Sequence, residues 1–456
     1  MMNVAIKSTR IITPGGIKKG FVLIKDGKII DIVNEIPQSD FIIENVGDHV
    51  VMPGVVDTHV HINEPGRTEW EGFDTGTKAA IIGGITSLVE MPLNASPVTT
   101  TVEAFEKKLE AADGQTGTVR PAGKVRSKLH CNCGFWGGVI PGNEKDIEPL
   151  IERGVLGFKA FLTHSGIDEF PNATEDDLRK VMPIIAKHGL PLLVHCELST
   201  DIHHSPFTIH YSDYLASRPK QWENDAIALM IRLCEEFNCR THIVHLSSSD
   251  SIGQIIKAKQ KGLPLTVETC QHYLYFNAEE IPDGRTEFKC APPIREKANN
   301  ELLWQALKDG VIDFVATDHS PAPPAMKEME SGNFMKAWGG ISSVQFALPV
   351  LWTAARKKDC SIVDIVRWLC ENPALLPGIQ NSKGKIQKGQ DADIIVWDPE
   401  EKFTVTKEMI YHRHKITPYL GEELYGVVKQ TWLAGEKVVD NGELIRSNSG
   451  SVLLRN

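Results

Sequence analysis

Two histidines close an apolar run in the stretch GVVDTHVHINEPGRTEW, where His59 and His61 stand two positions apart. In a strand, residues i and i+2 project to the same face. The two imidazoles therefore stand side by side just before a Gly/Pro loop, placed either to hold a metal ion or simply to close the strand. Four more groups with chemistry follow: Lys159 in LGFKAFL, His195 in LLVHCE, His245 in HIVHLS and Asp318 in VATDHS. Each lies at the C-terminal end of an apolar, β-like run. Singly, a strand-end histidine bonds its own loop, a lysine snorkels to solvent and an aspartate caps the next turn. Six such groups at the matching ends of five runs point instead to one metal centre.

Lys159 needs its own argument, because an ammonium has three donors and no acceptor and cannot ligate a cation. In an apolar, cation-rich pocket, burial and like charge both disfavour protonation. The neutral amine can then add carbon dioxide, and the resulting carbamate offers two oxygens that can bridge two cations. His59, His61, the carbamate and Asp318 would serve one ion; the carbamate, His195 and His245 would serve the other. Mixed nitrogen and oxygen ligation suits two divalent ions per chain, zinc first, with cobalt, manganese and iron also compatible.

The elements that must position these residues alternate in type. Strand-like runs are VVDTHVH, ITSLVEM, KLHCNCGFW, VLGFKAFL, LPLLVHCE, THIVHLS, LPLTVETC and VIDFVATDHS. Between them lie patterns with helical period, such as TVEAFEKKLEAA, TEDDLRKVMPIIAKHG, NDAIALMIRLCEEF and NNELLWQALKDG. Eight strands alternating with helices predict an α/β fold of the (β/α)₈ barrel type, whose active sites form at C-terminal strand ends. The third run is the weakest, being broken by Gly and Asn. Short β segments with turns occupy both chain ends, which predicts a small β-sandwich domain built from residues 1–53 and 381–456 around a barrel spanning 54–380. The long irregular piece LSTDIHHSPFTIHYSDYLASRPKQW follows strand five and reads as a lid or an oligomer contact, with His203 and His204 solvated.

Composition bounds the rest. The chain of 456 residues is 41% hydrophobic and 24% charged, with a formal net charge of −10. These values describe an ordinary globular protein and argue against a nucleic-acid surface. Nine cysteines are too sparse for a disulfide framework and favour a reduced, cytoplasmic chain. Cys131 and Cys133 lack a second pair at zinc-finger spacing and read as core. The N-terminus lacks a signal-peptide pattern, and no apolar run approaches the ~18 residues of a membrane span.

The motifs DTHVH, GFKAF, VHCE, VHLSS and ATDHSP together resemble the cyclic amidohydrolases: dihydroorotases, hydantoinases or dihydropyrimidinases, and allantoinases. GKIQKGQDADIIVWD is similar to the returning β domain of that family, so the resemblance covers almost the whole chain. More narrowly, HVHINEPGRTEWEGF, MPLNASPVTT, DHSPAPPAMK and FMKAWGGI resemble the allantoinases, which hydrolyse allantoin to allantoate. The resemblance implies His59, His61, Lys159, His195, His245 and Asp318 as ligands, with His242 structural. It also implies Asp318 as the group that carries the proton from an activated water to the departing ring nitrogen. Hydantoinases place an oxyanion-stabilising tyrosine five residues after the lysine; His164 stands there in this chain. Dihydroorotases place a carboxylate-binding arginine two residues after the second histidine; Asn63 stands there, with Arg67 further along. Asn63, Arg67, Asn94, Thr163, Ser165, Trp338 and Gly339 are the expected substrate-binding residues for a neutral, ureido-bearing ring. A hydantoinase or dihydropyrimidinase is the alternative enzyme, a metal-free scaffold of the same fold is the alternative outside catalysis, and the family implies a homotetramer.

Overall fold

The computed structural model describes residues 3–36, 41–113, 128–200 and 205–455. Eight strands alternate with helices through the middle of the chain. They are Val55–Val60, Ile85–Glu90, Asn132–Phe135 with its continuation Gly137–Gly138, Phe158–Phe161, Pro191–His195, Arg240–Ile243, Leu265–Cys270 and Phe314–Ala316. Each pairs in parallel with the next. A parallel bridge between Val60 and His319 joins the eighth to the first. The helices expected from periodicity form at Val102–Asp113, Glu175–Lys187, Lys220–Phe237 and Lys297–Lys308. Thr174 starts the second of these with a capping box to Asp177.

Burial on both faces explains why these strands read as apolar runs rather than alternating ones. The two faces are nevertheless distinct. Phe158, Ala160, Leu192 and Val194 belong to the large core shared with the helices. Phe161, Leu193, Val244 and Phe314 form a smaller inner core. A side-chain period of two therefore turns Lys159 inward with Phe161. Its position beside His195 follows from register, since Lys159 pairs with Leu193 and Phe161 with His195.

Strands from both chain ends join through hydrogen bonds into one sheet of nine strands among the described residues. The physical reason is Val50–Pro53, which pairs in parallel with the first strand of the chain, Val4–Thr13, and antiparallel with Ile394–Thr404. One short strand thus links the two halves without a break.

The weak third run also has a structural cause. Its first part pairs on one side with the end of the chain, Val452–Leu453, so the strand does not rely on its own sequence for pairing. The tail is fastened by Asn448 N–H to His130, Gly450 N–H to Leu129, Ser451 N–H to Asn132, Cys133 N–H to Ser451 and Arg455 N–H to Gly154. Gly450 is required by the close approach, since a Cβ there would lie 2.0 Å from the Cys131 carbonyl oxygen. Removing residues 448–456 should lower the thermal unfolding temperature measurably, at about 1 kcal/mol for each bond lost. An unchanged calorimetric midpoint in the truncated protein would show that the tail is dispensable.

Candidate metal centre and substrate cavity

All six expected ligand residues are buried. His59 ends its strand one residue early and His61 follows it; Lys159 lies within the fourth strand and His195 closes the fifth. His245 and Asp318 stand two residues beyond the sixth and eighth strands, where φ values of 39° and 43° put both in the left-handed region. Such conformations are costly for non-glycine residues and concentrate at functional sites. Asp57 secures the junction: its carboxylate accepts from Thr317 Oγ1 at 2.5 Å and from the His59 N–H at 3.2 Å. The first and eighth strands are thereby locked beside each other.

The side chains converge. Asp318 Oδ1 lies 3.2 Å from His59 Nε2 and 3.5 Å from His61 Nε2. His195 Nδ1 approaches His245 Nε2 to 3.0 Å. His59, His245 and Asp318 offer donor atoms all within 4.8 Å of one another. Lys159 is 0% exposed, and its Nζ has no hydrogen-bond partner among the described residues and stands over the face of Phe161, whose centroid is 4.7 Å away. Burial lowers its pKa to about 8 despite the opposing charges of Glu268 and Asp318. Burial likewise lowers His61 to about 4 and depresses His195 and His245. For Asp318 burial works the other way, yet His59 and His61 outweigh it and hold the carboxyl well below the usual range. Four imidazoles, one ionised carboxylate and an orphaned, partly neutral amine form a donor set that fits divalent cations.

Two acidic residues outside the expected set orient this cluster. Glu268, on the seventh strand, accepts from His59 Nδ1 at 2.5 Å and from His242 Nε2 at 3.2 Å, leaving His59 Nε2 free to face Asp318. Burial would raise Glu268, but these histidines bring it down to about 2. Glu197 accepts from His195 Nε2 at 2.7 Å and from Arg218 Nε at 3.1 Å, which leaves His195 Nδ1 for the centre. Carboxylates behind ligand histidines set the tautomer and the ring orientation. His242, third in the four-residue strand Arg240–Ile243 rather than near its start, stacks on Phe314 with ring centroids 5.2 Å apart and bonds Thr266. Cys131 and Cys133 are fully buried in the core and away from this cluster.

A cavity of about 740 Å³ opens over the cluster. His59, His61, His195, His245 and Asp318 line its floor, and Asn94, Ser165, Trp338 and Gly339 line its walls. Asn94 Oδ1 and Trp338 Nε1 are buried without partners, while Asn94 Nδ2 stands 3.3 Å from His61 Nδ1. Three expected substrate residues are not in the lining. Asn63 is fully buried and donates to the Pro321 carbonyl; Arg67 is engaged by Glu169 at 2.7 Å and by the Ala95 carbonyl; Thr163 bonds Ser199. They shape the loops rather than the surface a ligand meets. His164 does line the cavity, but its side chain is 61% exposed, its Nδ1 accepts from the Gly166 N–H and its Nε2 faces Asp168 at 3.3 Å. Both ring nitrogens are thus occupied at the rim, which does not match an oxyanion donor beside the cluster. His203 and His204 lie outside the described residues. The rest of their loop supplies a cavity wall through Thr200, Tyr214, Ser217, Arg218 and Trp222.

Residues 50–438 match the amidohydrolase family. The chain is 47% identical over 450 residues to an allantoinase of Streptomyces avermitilis, covering 97% of this chain and 96% of the relative. It is 42% identical to an allantoinase of Arabidopsis thaliana, covering 98% and 90%. Among solved structures, the L-hydantoinase (dihydropyrimidinase) of Arthrobacter aurescens superposes with a TM-score of 0.91 at 30% identity, covering 100% of both chains. On the converging ligand set and on this full-length similarity, the chain belongs to the amidohydrolase family, in its allantoinase branch.

Proposed function

We propose that this protein hydrolyses the cyclic amide of allantoin to allantoate, as an allantoinase built on a closed (β/α)₈ barrel. In this reading residues 54–380 form the barrel, and 1–53 with 381–456 form the β domain. Two divalent ions, zinc first and cobalt or manganese as alternatives, are held by His59, His61, His195, His245, Asp318 and a carboxylated Lys159. When bound, such ions lower the pKa of water and polarise the amide carbonyl. The chain supplies the proton traffic. Asp318, ionised and at the cavity floor, accepts the proton of the attacking water and returns it to the ring nitrogen as the C–N bond breaks. The carbonyl carbon leaves as a carboxylate and the nitrogen as the end of a ureido group. Glu268 and Glu197 keep His59 and His195 in the tautomers that face the centre.

The observation that carries the choice of allantoin over simpler rings is the polar lining of the cavity, to which Asn94, Ser165 and Trp338 contribute and in which Asn94 Oδ1 and Trp338 Nε1 have no partner among the described residues. A ring bearing a ureido group offers both donors and acceptors to such atoms, whereas an unsubstituted hydantoin leaves them unpaired. Sites built around buried polar groups reject ligands that lack the matching partner. The test is a kinetic panel of allantoin, dihydroorotate, dihydrouracil, hydantoin and 5-methylhydantoin. Allantoin should lead in kcat/KM by at least ~10²-fold. If dihydrouracil or a simple hydantoin leads, the substrate is that of the hydantoinase alternative. A cytoplasmic homotetramer is the assembly this reading carries.

A further inference from the structure

Apart from Lys159, the fully or nearly buried lysines among the described residues divide into two groups. Lys108 and Lys383 face carboxylates, of Glu90 for the first and of Asp391 and Asp393 for the second. Lys289 and Lys327 have only backbone carbonyls. Lys327 Nζ donates to the carbonyls of Lys289, Trp338 and Gly340, at 3.2, 2.9 and 2.9 Å. All three of its N–H groups are thereby used. Lys289 Nζ donates to the Met335 carbonyl at 3.1 Å and the Ala337 carbonyl at 2.6 Å. In the ammonium form that leaves one N–H, and the face of Tyr214 lies beside the amine with its centroid 4.9 Å away. Lys289, Tyr214, Met335 and Ala337 all line the cavity over the metal centre.

We propose that Lys289 is a specificity-determining residue whose remaining N–H donates to the ureido carbonyl of the substrate, and that Lys327 positions it. The inference rests on allantoin as the substrate and extends that reading to the end of the molecule away from the reacting amide. A carbonyl oxygen is a stronger acceptor for an ammonium than an aromatic face. Burial first, then repulsion from Lys327 and Arg218, presses the Lys289 pKa down to about 7, and a carbonyl acceptor brought by the substrate favours the protonated form that carries the third N–H. Geometry holds the donor still. The Gly340 N–H donates to the Lys289 carbonyl at 2.9 Å, and the Trp338 N–H to the Met326 carbonyl at 2.7 Å. A Cβ on Gly340 would meet the Ser320 carbonyl oxygen at 2.2 Å, so the strap that carries Trp338 and Gly339 lies directly against the loop after the eighth strand. Three carbonyls on Lys327 and two on Lys289 therefore hold this wall to the loop after the seventh strand before any ligand arrives, and a preorganised donor loses less on binding.

The test compares allantoin with unsubstituted hydantoin in the wild-type protein and in Lys289→Met, which preserves length and removes the donor. Bound metal and circular dichroism are measured on each. Allantoin kcat/KM should fall roughly 10- to 100-fold, mainly through KM, while hydantoin kcat/KM changes less than about 3-fold and metal content stays constant. Lys289→Arg, which keeps a charged donor, should recover part of the allantoin preference. Equal losses on both substrates, or no loss on either, overturn the inference. If Lys289→Met does not fold, Lys289→Gln decides by the same ratio. A wild-type protein that does not prefer allantoin overturns the substrate reading itself, an outcome visible without any variant.

Discussion

Lys159→Ala should bind at most one divalent ion per chain instead of two and lose more than ~10⁴-fold of its hydrolytic activity, because the activation of water depends on the intact centre. The argument begins with a cost. A lysine that is 0% exposed, with no hydrogen-bond partner and three histidines for neighbours, is an unfavourable thing to bury. Packing alone would favour methionine or leucine at an inward position of the fourth strand. What the amine offers in exchange is nucleophilicity towards carbon dioxide, and burial, by lowering its pKa to about 8, provides the neutral form that this addition needs. The product would be an anion placed among His61, His195 and His245. Two further measurements separate this role from simple packing. Millimolar acetate should restore part of the activity and the second metal equivalent to Lys159→Ala, since the space left admits a small carboxylate. It should not restore Lys159→Met, where the space stays filled. Two full equivalents of metal in Lys159→Ala would remove the bridging role.

Much of this site was legible from periodicity. His59 and His61 share a face because their spacing is two, and the inward turn of Lys159 follows from the apolar residues on either side of it. The alternation of strand and helix patterns led to the expectation of six ligands at one end of the fold. Less legible were groups whose partner lies far along the chain. Glu268 is a single acid in LPLTVETC, and its role depends on His59, 209 residues away. The only sequence signal was that a carboxylate in so apolar a run must be paired. Glu197 carried a stronger one, two positions after His195 and thus on the same face. Lys289 and Lys327 gave no periodic signal, since one follows and the other closes a short 3₁₀ turn and both bond to carbonyls. For the substrate residues, loop letters predicted proximity without direction: Asn94 and Trp338 face the cavity, whereas Asn63 and Arg67 turn into the loops. His164 is held at the rim by Gly166 and Asp168, contacts that no motif encodes.

The cleanest separation of structure from chemistry is expected at Asp318. Its φ of 43° is a conformation that most side chains resist, and asparagine tolerates it nearly as well as aspartate. Asp318→Asn therefore keeps the backbone turn after the eighth strand, the volume and one carbonyl oxygen for the cluster, and removes the negative charge and the ability to hold a proton. Asp318→Ala would add backbone strain to these losses and confuse the result. Folding and thermal midpoint should stay close to wild type in the asparagine variant. The catalytic constant should fall by roughly 10³- to 10⁴-fold, the range expected for a group that both accepts and returns a proton. KM should change little, because Asp318 lies at the cavity floor while the orphaned polar atoms of Asn94 and Trp338 lie on the walls. Metal content must be measured on the same sample. Retained metal with lost turnover assigns proton transfer to Asp318; metal lost in parallel with turnover limits its part to ligation. Near-normal turnover in Asp318→Asn would mean that another group on this floor moves the proton. His61 is the first to examine, since its Nε2 lies 3.5 Å from the same carboxylate.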